Sequence, residues 1–228
     1  MKGNIFQELE EMLQGITFKP VPSNTLEPIS NTSSEFSLIE KFFSNTKAEK
    51  IMDIVQIYRI RHPEMSPQLS NSNRHLLCCK IANKRWVGYT EWWPSSFVNI
   101  LRHGTSFRNV GGILREGLLI APDEATPNGS RHGKGCYFAD MSAKAAHYCG
   151  HARVGDEGIL FLGDVALGTV QEEVDEKGSN PLREGFDSVK ALGSCFPDPA
   201  GDMRHPEGYI IPMGQAIVEG NYSREFRE

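Results

Sequence analysis

Two stretches decide the fold of this chain: LRHGTSFRNVGGILREGLLIAP at residues 101–122 and GKGCYFADMSAKAAHYC at residues 133–149. In the first stretch, Ser106 is a candidate N-cap for a short helix over residues 107–116. Gly117 follows directly and is typical of a helix C-terminus. The stretch therefore predicts one short helix, preceded by the tripeptide His-Gly-Thr.

The chain after this helix alternates short strands with one more helix. CYFAD at 136–140 predicts a strand, and residues 141–149 predict an alanine-rich helix. GILFLGDVALG at 158–168 is continuous enough in apolar residues to predict a strand buried at the centre of a sheet. GFDSVKALG and GYIIPMG supply two more short strand or turn units. Short strands with small helices between them, without regular βαβ alternation, predict an α+β fold.

The N-terminal part divides into a linker and a helix. Residues 1–33 end in a run rich in Pro, Ser, Thr and Asn, and we interpret them as a linker or the remnant of a preceding helical region. Ser34 is the predicted N-cap of the next helix. That helix presents one apolar stripe, made of Phe36, Ile39, Phe42 and Phe43. After it, KIMDIVQIYRIR at 50–61 has the β-branched, partly alternating pattern of a strand.

Composition restricts the classes of function. The chain has 228 residues, with 24 Lys+Arg against 29 Asp+Glu and a net charge of −5. With a pI near 5.8, it lacks the excess of positive charge that holds a nucleic-acid backbone, so we expect no direct nucleic-acid binding. No apolar run approaches the roughly 20 residues that span a membrane, so we expect no membrane partner.

The five cysteines favour reduced thiols and no metal centre. Cys78 and Cys79 are adjacent, and the others are scattered without any C-x-x-C pair. His147, Cys149 and His151 are alternate residues of ligand type, but no second cluster completes a site. We therefore expect an intracellular protein without a bound metal.

Three features carry residues able to do chemistry. HGT at 103–105 lies at an element boundary, where the glycine lets a ligand approach backbone N–H and C=O groups closely. GKGCYF at 133–138 leads two glycines into a tyrosine that can form the wall of a pocket. The tail supplies two carboxylates, Glu225 and Glu228. Taken singly, each feature has an ordinary structural explanation, since His, Tyr and Phe are often half-buried packing residues.

In this order and spacing, the motifs closely resemble the catalytic domain of the poly(ADP-ribose) polymerases, which are diphtheria-toxin-like ADP-ribosyltransferases. The likeness covers about residues 34–228, from SSEFSLIEKFFSNTKA through GFDSVKALGSCFPDPAGD to IPMGQ. It is strongest to the DNA-damage-responsive nuclear branch, which implies a nuclear location. The implied fold is a mixed, mostly antiparallel split β-sheet with small flanking helices. Residues 76–100, which hold all three tryptophans, interrupt the likeness and are a candidate insertion.

The resemblance implies that NAD is a substrate, not a resident cofactor, and that nicotinamide leaves from ribose C1′. By analogy with the family, Gly104 binds the carboxamide through its backbone, Tyr137 stacks on the nicotinamide ring, and Tyr148 forms the opposite wall. His103 holds a hydroxyl of the adenosine ribose. Gly135 precedes Tyr137 in the same motif and belongs with these NAD-binding residues.

The resemblance also implies roles for the rest of the cleft. Thr105 fits the family's His-Gly-Ser/Thr pattern, and Lys144 occupies a position where the family often has a lysine lining the site. A glutamate on a late strand binds the 2′-hydroxyl of the nicotinamide ribose and orients the acceptor. Glu228 is the first candidate for that glutamate, as judged by its distance from IPMG. Glu225 and a residue beyond the last one in this sequence are the alternatives.

Several positions depart from the family pattern. Ala145 follows Lys144, where the family commonly has a serine that hydrogen-bonds the carboxamide; the loss of one such bond costs about 0.5–1.5 kcal/mol of NAD binding. Leu119 stands where the DNA-damage branch usually has an arginine, and Arg131 or His132 are candidates to compensate. The sequence stops at NYSREFRE, so we expect the last strands of the family's sheet to be missing.

Two functions are consistent with these residues. The first is an NAD-dependent transferase that attaches ADP-ribose to Glu, Asp or Ser side chains of acceptor proteins, as single units or as polymer. The second is a catalytically inactive module that binds NAD, ADP-ribose or a protein partner through the same cleft. The truncated tail and Ala145 favour the second, and intact His103, Gly104 and Tyr137 favour the first.

Overall fold

The computed structural model describes residues 26–47, 53–60, 98–120, 132, 135–149, 158–173, 182–206 and 208–218. Within these residues the chain forms short strands and three α-helices. In chain order they are β1 (Leu26–Pro28), α1 (Ser34–Ser44), β2 (Tyr58–Ile60), β3 (Val98–Gly104), α2 (Phe107–Glu116), α3 (Ser142–His147), β4 (Leu160–Ala166), β5 (Val170–Glu173), β6 (Ser188–Ala191), β7 (Cys195–Pro197), β8 (Met203–Arg204), β9 (Ile210–Ile211) and β10 (Ala216–Val218).

The largest sheet of the described residues has the strand order β4-β3-β9-β8. Strands β3 and β4 pair antiparallel along their whole length, from Val98 opposite Ala166 to Gly104 opposite Leu160. Strand β9 is parallel to β3, and β8 is antiparallel to β9. The pairs β1–β2 and β7–β10 are antiparallel, whereas β5–β6 is parallel. The predicted α+β class, with a mixed and mostly antiparallel sheet core, is therefore confirmed.

Two apolar clusters connect the helices to this sheet. Val110 and Leu114 of α2 lie one turn apart, and with Leu118 they pack against Phe161 of β4. The second cluster joins α1 to the other part of the sheet and consists of Phe42, Ile100, Tyr209 and Met213. Strand β3 contributes Ile100 to the second cluster, and its His103 pairs with Phe161 of the first cluster across the β3–β4 ladder.

The predicted helices are present, with small corrections at their ends. Helix α1 is capped by Ser33 and not by Ser34, because the Ser33 hydroxyl accepts the Phe36 N–H at 3.1 Å. Helix α2 covers the predicted residues 107–116, but the Ser106 side chain makes no capping hydrogen bond. Its first turn is held by the Asn109 N–H, which donates to the Ser106 carbonyl at 2.9 Å.

Three strand predictions need larger corrections. The strand predicted over residues 50–61 is a strand only at Tyr58–Ile60 within the described residues. The strand predicted at 136–140 is absent, because the Tyr137 carbonyl is hydrogen-bonded by a histidine side chain and the ladder cannot continue; one bridge at Ala139 is left. The strand predicted at 158–168 forms as Leu160–Ala166, but at the outer edge of the described sheet and not at its centre.

Two segments assigned from the sequence contribute residues to the fold. Leu26–Pro28, inside the predicted linker of residues 1–33, form β1 opposite β2. The candidate insertion of residues 76–100 lies outside the described residues except for its last three, which begin β3. The predicted domain boundary at residue 34 stays a prediction.

Candidate active site

The His-Gly-Thr motif lies at the C-terminal end of β3, where Gly104 packs against α3. An added Cβ at Gly104 would lie 1.7 Å from the carbonyl oxygen of Ala145 in α3. That distance is far below any van der Waals contact with backbone, so only glycine lets the strand and the helix come this close. Ala145 itself is buried, at 1 % exposure. Gly104 therefore sets the separation between β3 and α3.

The segment that carries Tyr137 is held against β3 by its backbone. Arg102 and Ala139 exchange two hydrogen bonds, of 2.9 and 2.8 Å, as an isolated antiparallel bridge. His103 Nδ1 lies 2.7 Å from the Tyr137 carbonyl oxygen, and the His103 ring meets the Phe138 ring edge-on with centroids 5.8 Å apart. His103 is thus in contact with the Tyr137 backbone, and Gly104 follows His103 at the end of β3.

The hydrogen bond to Tyr137 fixes the protonation of His103. A carbonyl oxygen only accepts, so Nδ1 must carry the proton and donate it. Burial lowers the pKa of the imidazole, and the hydrogen bond to the Tyr137 carbonyl opposes only part of that effect. At neutral pH the ring is therefore neutral, and its Nε2 has a lone pair that can accept a hydrogen bond from a ligand hydroxyl.

Tyr137 and Tyr148 lie near each other, since the Tyr148 phenol influences the pKa of Tyr137. The Tyr137 hydroxyl accepts the His132 N–H at 3.0 Å, which fixes the far end of the ring. Burial raises the pKa of Tyr137 and the nearby Tyr148 phenol raises it further, so the ring is neutral at physiological pH. Tyr148 is 39 % exposed, and the Lys144 ammonium nitrogen lies 5.8 Å from its ring centroid.

Helix α3 is positioned by a residue that the sequence analysis missed. Thr46, just after α1, accepts the Ser142 N–H on its hydroxyl at 3.0 Å, and its carbonyl accepts the Ala143 N–H at 3.0 Å. The Thr46 hydroxyl also donates to the Ser142 hydroxyl at 3.2 Å, and both side chains are fully buried. The N-cap residue, Met141, has no side-chain acceptor, so Thr46 supplies the cap from a distant element. No local pattern in the sequence signals such a cap.

The remaining predicted residues differ in their surroundings. Thr105 is buried, and its hydroxyl accepts from the Asn109 side chain at 3.0 Å. Gly135 is exposed, and a Cβ added there would meet open space. Leu119 is 55 % exposed. Glu225 and Glu228 lie outside the described residues.

Comparison with known proteins identifies the family. The poly(ADP-ribose) polymerase catalytic domain matches residues 33–228. This chain is 34% identical to poly [ADP-ribose] polymerase 1 of Caenorhabditis elegans, over 85% of this chain and 19% of that protein. It is 32% identical to poly [ADP-ribose] polymerase 2 of Arabidopsis thaliana, over 84% of this chain and 28% of that protein.

The chain belongs to the poly(ADP-ribose) polymerase catalytic-domain family. It spans about a fifth of the worm relative and a little over a quarter of the plant one. The resemblance inferred from the ordered motifs is therefore confirmed. The clustering of His103, Gly104 and Tyr137 gives this member of the family a candidate NAD cleft between β3, α3 and the segment before α3.

The described residues include part of the His147-x-Cys149-x-His151 pattern, which has the residue types of a metal site. Cys149, the central residue of the His-x-Cys-x-His pattern, turns its sulfur to the Ile159 carbonyl at 3.1 Å, and burial raises the pKa of its thiol. His151 lies outside the described part of the chain. Among the residues that are described, no group of three or more His, Cys, Asp or Glu could hold a metal ion. In the same residues, no helix is both long and apolar enough to traverse a bilayer.

A cavity of about 610 Å³ lies away from the candidate NAD cleft. It opens between the end of α1 and the segments around β7 and β10. Asn45 stands at its wall and donates to the Met213 carbonyl at 2.5 Å. None of the residues predicted for NAD binding lines this cavity, whose walls include Lys41, Asn45, Asp198, Met213, Gly214 and Ile217.

Proposed function

We propose that this chain transfers the ADP-ribose of NAD to a side chain of an acceptor protein. The observation that supports the proposal is the hydrogen bond from the His103 imidazole to the backbone of Tyr137, directly beside Gly104, in a member of this catalytic-domain family. NAD is the substrate, and the proposal requires no metal.

In the proposed complex, nicotinamide is held by backbone and aromatic groups. The N–H and C=O of Gly104 hydrogen-bond the carboxamide, since a residue without a side chain leaves its backbone accessible to a planar amide. The Tyr137 ring stacks on the pyridine face, a contact worth about 1 kcal/mol beyond its burial. Tyr148 closes the other face, and Thr105 and Gly135 line the same subsite.

His103 and Lys144 act on the rest of the dinucleotide. The neutral His103 ring, with its proton fixed on Nδ1 by the Tyr137 carbonyl, accepts a hydrogen bond at Nε2 from a hydroxyl of the adenosine ribose. The ammonium group of Lys144 is exposed on the side of Tyr148, where it can meet the negative charge of the pyrophosphate. These contacts would fix the dinucleotide in a bent conformation across the cleft.

The chemical step breaks the bond between the nicotinamide nitrogen and ribose C1′. The bonding electron pair stays on nicotinamide, which leaves neutral, and positive charge develops on the sugar as an oxocarbenium ion. An oxygen of the acceptor side chain then bonds to C1′; a serine hydroxyl loses its proton in that step, whereas an Asp or Glu carboxylate has none to lose. A carboxylate at the 2′-hydroxyl would stabilise the developing charge, and Glu228 is the proposed residue, with Glu225 as the alternative.

A second candidate function rests on one observation. Ala145, where the family commonly has serine, gives the cleft one hydrogen bond fewer to the carboxamide. A module that binds NAD or ADP-ribose without turning it over would tolerate such a loss. A nuclear location, a link to DNA repair and the choice between single units and polymer remain proposals taken from the nuclear branch of the family.

The test separates the two functions. The 228-residue chain is incubated with NAD labelled in its adenine, together with acceptor protein, and free nicotinamide and protein-bound label are both measured. The transferase releases nicotinamide and labels protein, and both signals fall at least a hundredfold in Glu228→Gln if that carboxylate stabilises the transition state. Raised thermal stability with NAD but no label on protein would instead support the binding module.

A further inference from the structure

Arg102, the residue before His103, is buried at 3 % exposure. Its Nη2 donates to the Phe42 carbonyl in α1 at 2.6 Å, and its Nη1 donates to the Asp140 carbonyl. The guanidinium carbon lies 3.5 Å from the centroid of the Phe42 ring. One side chain thus connects β3, the end of α1 and the segment that carries Tyr137.

The burial of Arg102 is not explained by a gain in folding stability alone. Removing a guanidinium from water is costly, and apolar residues of similar volume often serve a protein's stability equally well. At this position burial lowers the pKa of Arg102, and only the nearby Asp140 carboxylate acts in the opposite direction. The cation is stabilised by two carbonyl oxygens, one aromatic face and the nearby Asp140 carboxylate. We infer that its contribution is to fix the positions of the two carbonyl groups.

The segment that needs fixing is the one before α3. Residues 136–138 form no strand, and their attachment to β3 includes the neighbouring Arg102–Ala139 bridge, the bond from His103 to the Tyr137 carbonyl and the edge contact of the His103 and Phe138 rings. An isolated bridge opens more easily than a continuous ladder. The Arg102 side chain adds a further bond at the next carbonyl along, that of Asp140.

We propose that Arg102 is a positioning residue for the nicotinamide subsite, because its two carbonyl hydrogen bonds hold the Tyr137 segment in register with Gly104. The proposal rests on the proposed function, since nicotinamide is the ligand that Tyr137 and Gly104 would share. Arg102 touches no part of that ligand. It acts by limiting the positions that the Tyr137 ring can take.

The test compares two arginines that both bind α1. Arg102→Met keeps the length of the apolar stem and removes both donors. Arg59→Met is the matched control. Arg59 pairs at 2.5 Å with Glu35, at the opposite end of α1, and at 3.4 Å with Glu27 of β1. Benzamide serves as the nicotinamide mimic in a calorimetric titration, and hydrogen exchange of the Ala139 amide reports on the bridge.

We expect Arg102→Met to bind benzamide about tenfold more weakly, as the loss of hydrogen bonds from a charged donor implies, and to expose the Ala139 amide to faster exchange. Arg59→Met should leave both within about twofold of the wild-type values after correction for stability. Arg102→Lys keeps the charge but replaces the planar two-nitrogen fork with one ammonium nitrogen, so we expect it to hold the two carbonyls less well and its affinity to fall between the two.

Equal benzamide affinity and equal Ala139 exchange in Arg102→Met and Arg59→Met would overturn the proposal. So would wild-type affinity in Arg102→Lys, since the forked geometry would then be unnecessary; this variant decides the matter if Arg102→Met does not fold. A wild-type chain that binds no benzamide would contradict the proposed function instead. In that case the exchange rates at Ala139 still decide whether Arg102 holds the segment.

Discussion

The two sides of the candidate nicotinamide subsite are built in different ways. On the inner side, Gly104 and Tyr137 are held by strand pairing, by the bridge at Ala139 and by the His103 side chain. On the outer side, Tyr148 lies just beyond the six-residue helix α3 and is 39 % exposed. A binding group gains affinity when its position is fixed before the ligand arrives. We therefore expect the inner side to contribute most of the free energy of nicotinamide binding.

The largest effect is expected where Gly104 of β3 contacts Ala145 of α3. Gly104→Ala places a Cβ 1.7 Å from the Ala145 carbonyl oxygen, so β3 and α3 must separate. We expect a loss of about 3 kcal/mol in the free energy of unfolding and no measurable benzamide binding. Denaturant titration and calorimetry measure the two quantities.

Gly112→Ala is the control for that substitution. Gly112 lies in α2, and a Cβ added there meets nothing within 4 Å. Alanine in a helix should raise stability by about 0.5–1 kcal/mol and leave binding unchanged. Normal stability and binding in Gly104→Ala would show that the two sides are not in the contact described.

The second prediction compares the two phenol rings. Tyr137→Ala should weaken benzamide binding about tenfold, because it removes a ring fixed at its backbone and at its hydroxyl. Tyr148→Ala should weaken it only about threefold, because the exposed ring must be ordered when the ligand binds. His147→Ala, an exposed neighbour of Tyr148, is the control and should bind like the wild type. A larger loss in Tyr148→Ala than in Tyr137→Ala would reverse the comparison.

The third prediction concerns Ala145→Ser, which introduces the hydroxyl that alanine lacks. Ala145→Ser should tighten NAD binding by about 2- to 10-fold, as one added hydrogen bond implies. Measuring dissociation constants for both NAD and ADP-ribose makes the test specific, because ADP-ribose has no carboxamide and should bind both variants equally. Equal gains for the two ligands would mean that the serine acts through the fold and not on nicotinamide.

The smallest effect concerns the pH dependence of stability. Since the pKa of His103 in the folded chain lies below its ordinary value of 6.5, the unfolded chain takes up this proton first as the pH falls. The wild type should therefore lose stability as the pH decreases through 6.5 and towards the folded pKa. His103→Gln, which lacks this group, should lose less over the same range. Parallel unfolding curves for the two proteins from pH 7 to pH 5 would exclude a lowered pKa at His103.

The sequence predicted the elements whose signals are local. Helix α2 was predicted from Ser106 and Gly117, and its end at Gly117 is confirmed, since that glycine has a φ of 77°. The contact between the HGT and GKGCYF motifs is also present, as the hydrogen bond from His103 to the Tyr137 carbonyl. The resemblance to the family implies roles for these residues, and those roles stay predictions.

What the sequence did not predict depends on contacts between distant residues. The apolar run at 136–138 reads as a strand, but the His103 imidazole hydrogen-bonds the Tyr137 carbonyl that a ladder would need. Thr46 caps a helix that begins 96 residues later. Arg102 reads as an ordinary polar residue of an alternating strand, although its side chain is buried and joins three elements.

The location of benzamide on the chain can be determined from intermolecular nuclear Overhauser effects. The two candidate locations are the cleft of Gly104 and Tyr137 and the separate cavity beside Asn45 and Met213. We expect contacts from the benzamide ring to the Tyr137 ring protons and to the Gly104 amide. Contacts to Met213 with none to Tyr137 would contradict this expectation.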